Sequence, residues 1–212
     1  MFDALLRPLV DPALNRAGRL IARLGVSADH LTLAGACFGI GAGVAIAAQH
    51  YLAGLGLVVL SRLLDGLDGA VARATATTDF GGYLDIVCDF VFYVAVPMGF
   101  AFADPANMAP ALVLTASFAL TGSSFLAYAA IAEKRGLTTS RHGAKSFFFQ
   151  GGLAEGAETI IAFLLMCILP QHFALISWVF AGMCGLTVVQ RVMAARKAFR
   201  GTASPTPGPD LE

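Results

Sequence analysis

Charge is scarce in this 212-residue chain: Asp, Glu, Lys and Arg together make up 13% of it, where a soluble domain carries about a quarter. That shortage argues against a globule bathed in water on all sides. A hydrophobic content of 57% and a mean hydropathy of +0.73 point instead to lipid-embedded helices. Net charge is missing too. The 14 basic and 14 acidic residues cancel to a formal +0, so no bulk field draws nucleic acid. Cysteine is sparse, and Cys37, Cys88, Cys167 and Cys184 lie in apolar stretches without a CxxC pair. They read as small buried hydrophobes and give neither a disulfide framework nor a zinc site. No cleavable signal peptide is evident. Residues 1–25 alternate Arg with Leu, Ile, Val and Ala and lack an uninterrupted apolar core. No internal repeat is visible.

What is present is a series of apolar runs. About twenty apolar residues cross a hydrocarbon core, and six runs qualify, at about 31–48, 51–74, 81–102, 109–132, 153–169 and 173–195. Ahead of them, Leu14, Ala17, Leu20, Ile21 and Leu24 recur at helical spacing with Arg16, Arg19 and Arg23 elsewhere on the wheel, the pattern of an amphipathic helix lying in the membrane interface. The fold class is therefore all-α, an integral membrane bundle of six transmembrane helices behind an N-terminal interfacial helix. The expected divisions are 1–25 for that helix, 26–200 for the bundle and 201–212 for a tail rich in Pro, Gly, Ser and Thr, too polar to order itself. Arg7, Arg16, Arg19, Arg23, Arg73, Lys134, Arg135, Arg141, Lys145, Arg196, Lys197 and Arg200 fall on one side of this layout. The loops at Gln49-His50, Asp104 and Gln171-His172 carry no Lys or Arg. The positive-inside rule places both termini in the cytoplasm, as an even number of spans requires.

The chemistry sits in the second and third runs. Asp65 and Asp68 are three apart and Asp85 and Asp89 four apart, so each pair shares one helix face. The polar stretch between Arg73 and Gly81 serves as a cytoplasmic turn that sets the two helices antiparallel, and four carboxylates then converge below the cytoplasmic surface. Each costs at least about 2.5–3.5 kcal/mol at the centre of a membrane helix. Protonation, pairing with Arg62 or Arg73, or hard divalent cations would offset this, the last best of all because such ions prefer oxygen ligands. A pair of ions forms a clamp suited to phosphoryl transfer. Gly66, Gly69, Ala70 and Ala72 strip bulk from the same helix, either for close packing or for a slot that admits a flat ligand. Arg73 suits a pyrophosphate, which its planar fork can grip with two hydrogen bonds.

The run Asp65-xx-Asp68-Gly69-xx-Ala72-Arg73, then seven residues, then Gly81-xxx-Asp85-xxx-Asp89, resembles the signature of the CDP-alcohol phosphotransferase family. The resemblance implies that Asp65, Asp68 and Asp85 hold metal, that Asp89 touches metal and acts as general base, and that Thr32, Gly69, Ala72, Arg73, Thr78 and Gly81 line the CDP site. The family's Pro-Asn-x-x-Thr element is matched by Ala28-Asp29-His30-Leu31-Thr32, which keeps only the threonine. The implied reaction moves a phosphatidyl group from CDP-diacylglycerol to the hydroxyl of a small alcohol and releases CMP, with Mg²⁺ or Mn²⁺ as cofactor and a homodimer in the inner (cytoplasmic) membrane. Lys134, Arg135, Arg141 and Lys145 are candidates to grip a phosphate on the acceptor. Glu155 and Glu158 could receive a cationic acceptor, or could equally cap a helix N-terminus. A rival reading, a cation transporter or channel, uses the same acids as an ion path, but the acids bunch toward one side rather than spanning the membrane depth.

Overall fold

The computed structural model describes residues 3–135 and 152–199. Arg141, Lys145, Arg200 and the tail at 201–212 lie outside the described residues. Every regular element among the described residues is helical: α1 (Asp3–Arg23), α2 (Ala28–Ala47), α3 (Tyr51–Ala74), α4 (Asp79–Ala103), α5 (Met108–Lys134), α6 (Gly156–Ile168) and α7 (Phe173–Phe199), with single 3₁₀ turns at Pro105–Asn107 and Pro170–His172.

Local chemistry sets the breaks. Ser27 caps α2 by accepting from the His30 amide, and Thr78 caps α4 by accepting from the Gly81 amide. Between α2 and α3 the chain reverses through Gln49, whose φ of 61° lies in the left-handed region that few side chains enter. Its side-chain amide donates to the Ala103 carbonyl at 2.9 Å, which ties this reversal to the end of α4. Asp104 caps the turn after α4 by accepting from the Ala106 amide.

Among the described residues, four stretches are long and apolar enough to cross a membrane: Ala28–Ala47, Asp79–Ala103, Pro105–Lys134 and Pro170–Phe199. The sequence reading expects six. The run at 51–74 does form one unbroken helix, α3, but Arg62, Asp65, Asp68 and Arg73 lower its apolar character. The run at 153–169 becomes a helix of 13 residues, about 20 Å long at 1.5 Å per residue, against a hydrocarbon core of about 30 Å. Its start is delayed because Thr187 on α7 intercepts the chain. The Thr187 hydroxyl oxygen accepts from the Leu153 and Ala154 amides, both at 3.1 Å, and Glu155 then stands as the N-cap residue of α6.

The helices pack α2 against α3 and α4, α5 against α7, α1 and α6 against α3, and α4 against α5. An aromatic stack forms the core. Phe100 lies between Tyr51 at 5.8 Å and Phe173 at 4.3 Å, while Phe163 meets Phe92 at 5.4 Å and Phe118 at 5.8 Å. Phe92, Phe100, Phe163 and Phe173 are wholly buried. Small residues permit the closest crossings. A β-carbon on Gly99 would lie 2.5 Å from the Gly43 carbonyl oxygen, and one on Gly43 would meet the Ala95 carbonyl, so α2 and α4 touch backbone to backbone. Gly18 gives α1 the same access to Ala70 on α3.

Candidate metal and nucleotide site

The turn between α3 and α4 spans only residues 75–78, and both helices pack against α2, which brings acidic side chains of the two together. Asp65 and Asp68 on α3 and Asp85 on α4 each place a carboxylate oxygen within 4.8 Å of the other two. Asp68 is buried, at 6% exposure, and receives the Thr32 hydroxyl at 2.6 Å. Thr32 stands on α2, so three helices contribute to this point.

Asp89 is placed differently. Its Oδ1 accepts from Arg62 Nη1 at 2.6 Å, and the same nitrogen reaches Asp65 Oδ1 at 3.3 Å. The Arg62 guanidinium carbon lies over the Phe92 ring, 3.9 Å from its centre. Of the two arginines that sequence reading offers as counter-ions, Arg62 takes the role. Arg73 instead donates from Nη2 to Asn15 Oδ1 on α1 at 3.1 Å.

The remaining motif residues surround the turn. A β-carbon on Gly69 would lie 3.1 Å from Arg73 Nη1, so the missing side chain there leaves room for the arginine. A β-carbon on Gly81 would meet Thr78 Oγ1 at 3.0 Å and Asp29 Oδ1 at 3.3 Å. Asp29 and Asn15 thus border the site from α2 and α1. The first falls within the Ala28–Thr32 stretch and the second has no sequence signal, since an isolated Asn in a basic amphipathic helix looks like any solvent-facing residue. Ala72 is half-buried on α3.

The acceptor candidates are more dispersed. Arg135 donates to the Phe199 carbonyl at 2.8 Å and lies over the Phe199 ring at 5.3 Å, which commits it to the end of α7. Lys134 occupies the last turn of α5. Glu155 accepts from the Gly152 amide at 2.8 Å, so its carboxylate serves the entry to α6. Glu158 is buried in the first turn of α6, at 8% exposure.

The donor set fits hard divalent cations. It is made of carboxylate oxygens alone, gathered by two helices and partly withdrawn from water, and such ions bind oxygen in preference to sulfur or imidazole. The three carboxylates nearest one another have no ion pair to a basic side chain among the described residues other than the contact of Asp65 with Arg62.

Comparison with known proteins gives the fold and the family. The fold is that of Mycobacterium tuberculosis phosphatidylinositol phosphate synthase (PgsA1). The structure of that enzyme with CDP-DAG bound superposes with a TM-score of 0.72 at 22% identity, over 90% of this chain and 98% of that one. The structure with manganese and citrate gives 0.72 at 24% identity, over 92% and 96%. The family model for CDP-alcohol phosphatidyltransferase matches residues 26–189, and the chain belongs to that family. It is 45% identical to the inner membrane protein YnjF of Escherichia coli over 91% of this chain and 94% of that protein. It is 30% identical to the archaetidylinositol phosphate synthase of Pyrococcus horikoshii, over 91% and 95%.

Proposed function

We propose that this chain transfers a phosphatidyl group from CDP-diacylglycerol to the hydroxyl of a small alcohol and releases CMP. The observation that carries this is the meeting of Asp65, Asp68 and Asp85 within 4.8 Å of one another in a chain of this family. Asp65, Asp68 and Asp85 would hold Mg²⁺ or Mn²⁺, as a pair of ions, with Asp89 at their edge. The bound cations would supply neutralisation of the pyrophosphate charge. Asp89 takes the proton of the acceptor hydroxyl, and that oxygen attacks the β-phosphorus in line. Arg73, beside the space left by Gly69, steadies the departing CMP, with Ala72, Thr78, Gly81 and Thr32 around the nucleotide. In the reading we favour, α3 and α6 also cross the bilayer. Their polar or short character is tolerable because they are enclosed by the other helices, α1 lies along the cytoplasmic interface, and both termini face the cytoplasm. A relative named as an inner membrane protein supports that location, and a homodimer follows from the family resemblance.

The acceptor is best read as a phosphorylated polyol. The relatives named for inositol phosphate products favour it, and so do the basic residues Lys134, Arg141 and Lys145 over the acids Glu155 and Glu158, of which Glu155 is engaged with the Gly152 amide. The ion-path reading finds no support in any comparison. The deciding experiment measures CMP release from CDP-diacylglycerol with Mg²⁺ or Mn²⁺ across a panel of alcohols. Release with one phosphorylated polyol would identify the acceptor, and no release with any alcohol would refute the transferase reading.

A further inference from the structure

Arg62 is the feature the proposed reaction leaves unexplained. Its side chain is 10% exposed, inside a cluster whose other charged members are acids. One nitrogen, Nη1, bridges Asp65 on α3 and Asp89 on α4. Nη2 makes only a 3.3 Å contact to Ser61 Oγ, and Nε is buried without a hydrogen-bond partner. Five N–H donors fixed in a planar fork are thus poorly satisfied, although a buried donor left unmade is destabilising. The guanidinium is held mainly by charge, and by the ring of Phe92 beneath it. Phe92 is wholly buried and cannot move aside.

Asp65 belongs to two groupings at once. With Asp68 and Asp85 it forms the oxygen cluster. With Asp89 it forms the pair that Arg62 bridges. We infer that Arg62 is a resident cation occupying the place of a second divalent ion, so that the cluster takes two ions with unequal affinity, the weaker one competing with this guanidinium for Asp65 and Asp89. Arg62 is in this sense a positioning residue. It keeps Asp89 aimed into the cluster before metal arrives and limits how tightly the second ion holds. The inference rests on the metal reading given under Proposed function.

The test is equilibrium Mn²⁺ binding to the purified full-length protein in detergent, followed by electron paramagnetic resonance and calorimetry and paired with thermal melting. The wild type should bind in two unequal steps. Arg62→Met should tighten the weaker step by about tenfold or more, the effect expected of removing a unit charge at this distance. Metal-free Arg62→Met should melt below the metal-free wild type, and saturating Mn²⁺ should close much of that gap. If Arg62→Met cannot be recovered, Arg62→Lys carries the test. Its compact ammonium lacks the planar bridging fork, so the weaker step tightens by a smaller margin. An unchanged or weakened isotherm in the variant, or a melting deficit that Mn²⁺ leaves as large as before, overturns the inference. If the wild type itself binds no Mn²⁺, the metal reading fails along with it. Metal binding in the wild type with no response at Arg62 removes this inference alone.

Discussion

Thr32 on α2 donates its hydroxyl proton to Asp68 on α3 across 2.6 Å, and both groups are buried. This contact fixes one carboxylate of the oxygen cluster from a helix that carries none of the others. A hydrogen bond to a charged group contributes roughly 1.5–3 kcal/mol, and Val in place of Thr keeps the shape while removing the donor. Thr32→Val should therefore lower the melting temperature in detergent and weaken Mn²⁺ binding, whereas Thr32→Ser should retain most of both. Loss in the serine variant with none in the valine variant would show that the methyl group, not the hydroxyl, is what this position needs.

Asp85→Asn and Asp89→Asn test different parts of the reaction. Asp85 lies within the three-oxygen cluster, so its amide should weaken metal binding and abolish CMP release together. Asp89 lies at the Arg62 bridge. Its amide should leave the first Mn²⁺ bound and still reduce turnover by about 10²–10⁴, the usual share of a general base. Chelation with EDTA should silence the wild type, and added Mg²⁺ or Mn²⁺ should restore it. Wild-type turnover in both variants would remove these residues from the mechanism.

The crossing of α2 and α4 makes a sharper stability prediction. A β-carbon at Gly99 would press on the Gly43 carbonyl at 2.5 Å, and backbone cannot rotate out of the way as a side chain can. Gly99→Ala and Gly43→Ala should each destabilise the fold by roughly 1–3 kcal/mol, the cost of overpacking. Gly185→Ala has nothing within 4 Å and should be neutral, or gain about 0.4–1 kcal/mol from a less floppy unfolded chain. Melting curves of the three variants in one detergent decide the matter.

These cases show what could be foreseen from sequence. The spacing of Asp65 with Asp68 and of Asp85 with Asp89 is a local helical property, so the cluster was legible before any fold was known. The helix boundaries of α3 were equally plain, because Tyr51 to Ala74 is bounded by a polar turn at each end. Partners set by packing were not legible. Asp68 finds Thr32 at a separation of 36 residues, Asp89 finds Arg62 at 27 and Arg73 finds Asn15 at 58. Periodicity carries no information on that scale. Arg62 and Arg73 stood as equal candidates to pair with the acids, and what separates them is that Arg62 meets Asp65 and Asp89 while Arg73 meets Asn15. The late start of α6 was hidden for the same reason, since the residue that delays it stands on α7.

That delay supplies the last prediction. Thr187 is wholly buried, and its hydroxyl donates to the Met183 carbonyl at 2.9 Å while accepting from two amides of the chain entering α6. A β-carbon on Gly152 would run into the Thr187 side chain, so the entering chain is held by hydrogen bonds on one side and close contact on the other. Thr187→Val preserves volume but leaves the Leu153 and Ala154 amides unpaired, at roughly 1–3 kcal/mol each. Their hydrogen exchange should accelerate well beyond that of the α6 interior, and the protein should melt earlier. Thr187→Ser keeps the oxygen and should protect both amides nearly as the wild type does. Were exchange at Leu153 and Ala154 the same in the valine variant, the start of α6 would owe its position to Glu155, whose carboxylate accepts from Gly152, and Glu155→Met, which removes the acceptor, would then be the substitution that releases it.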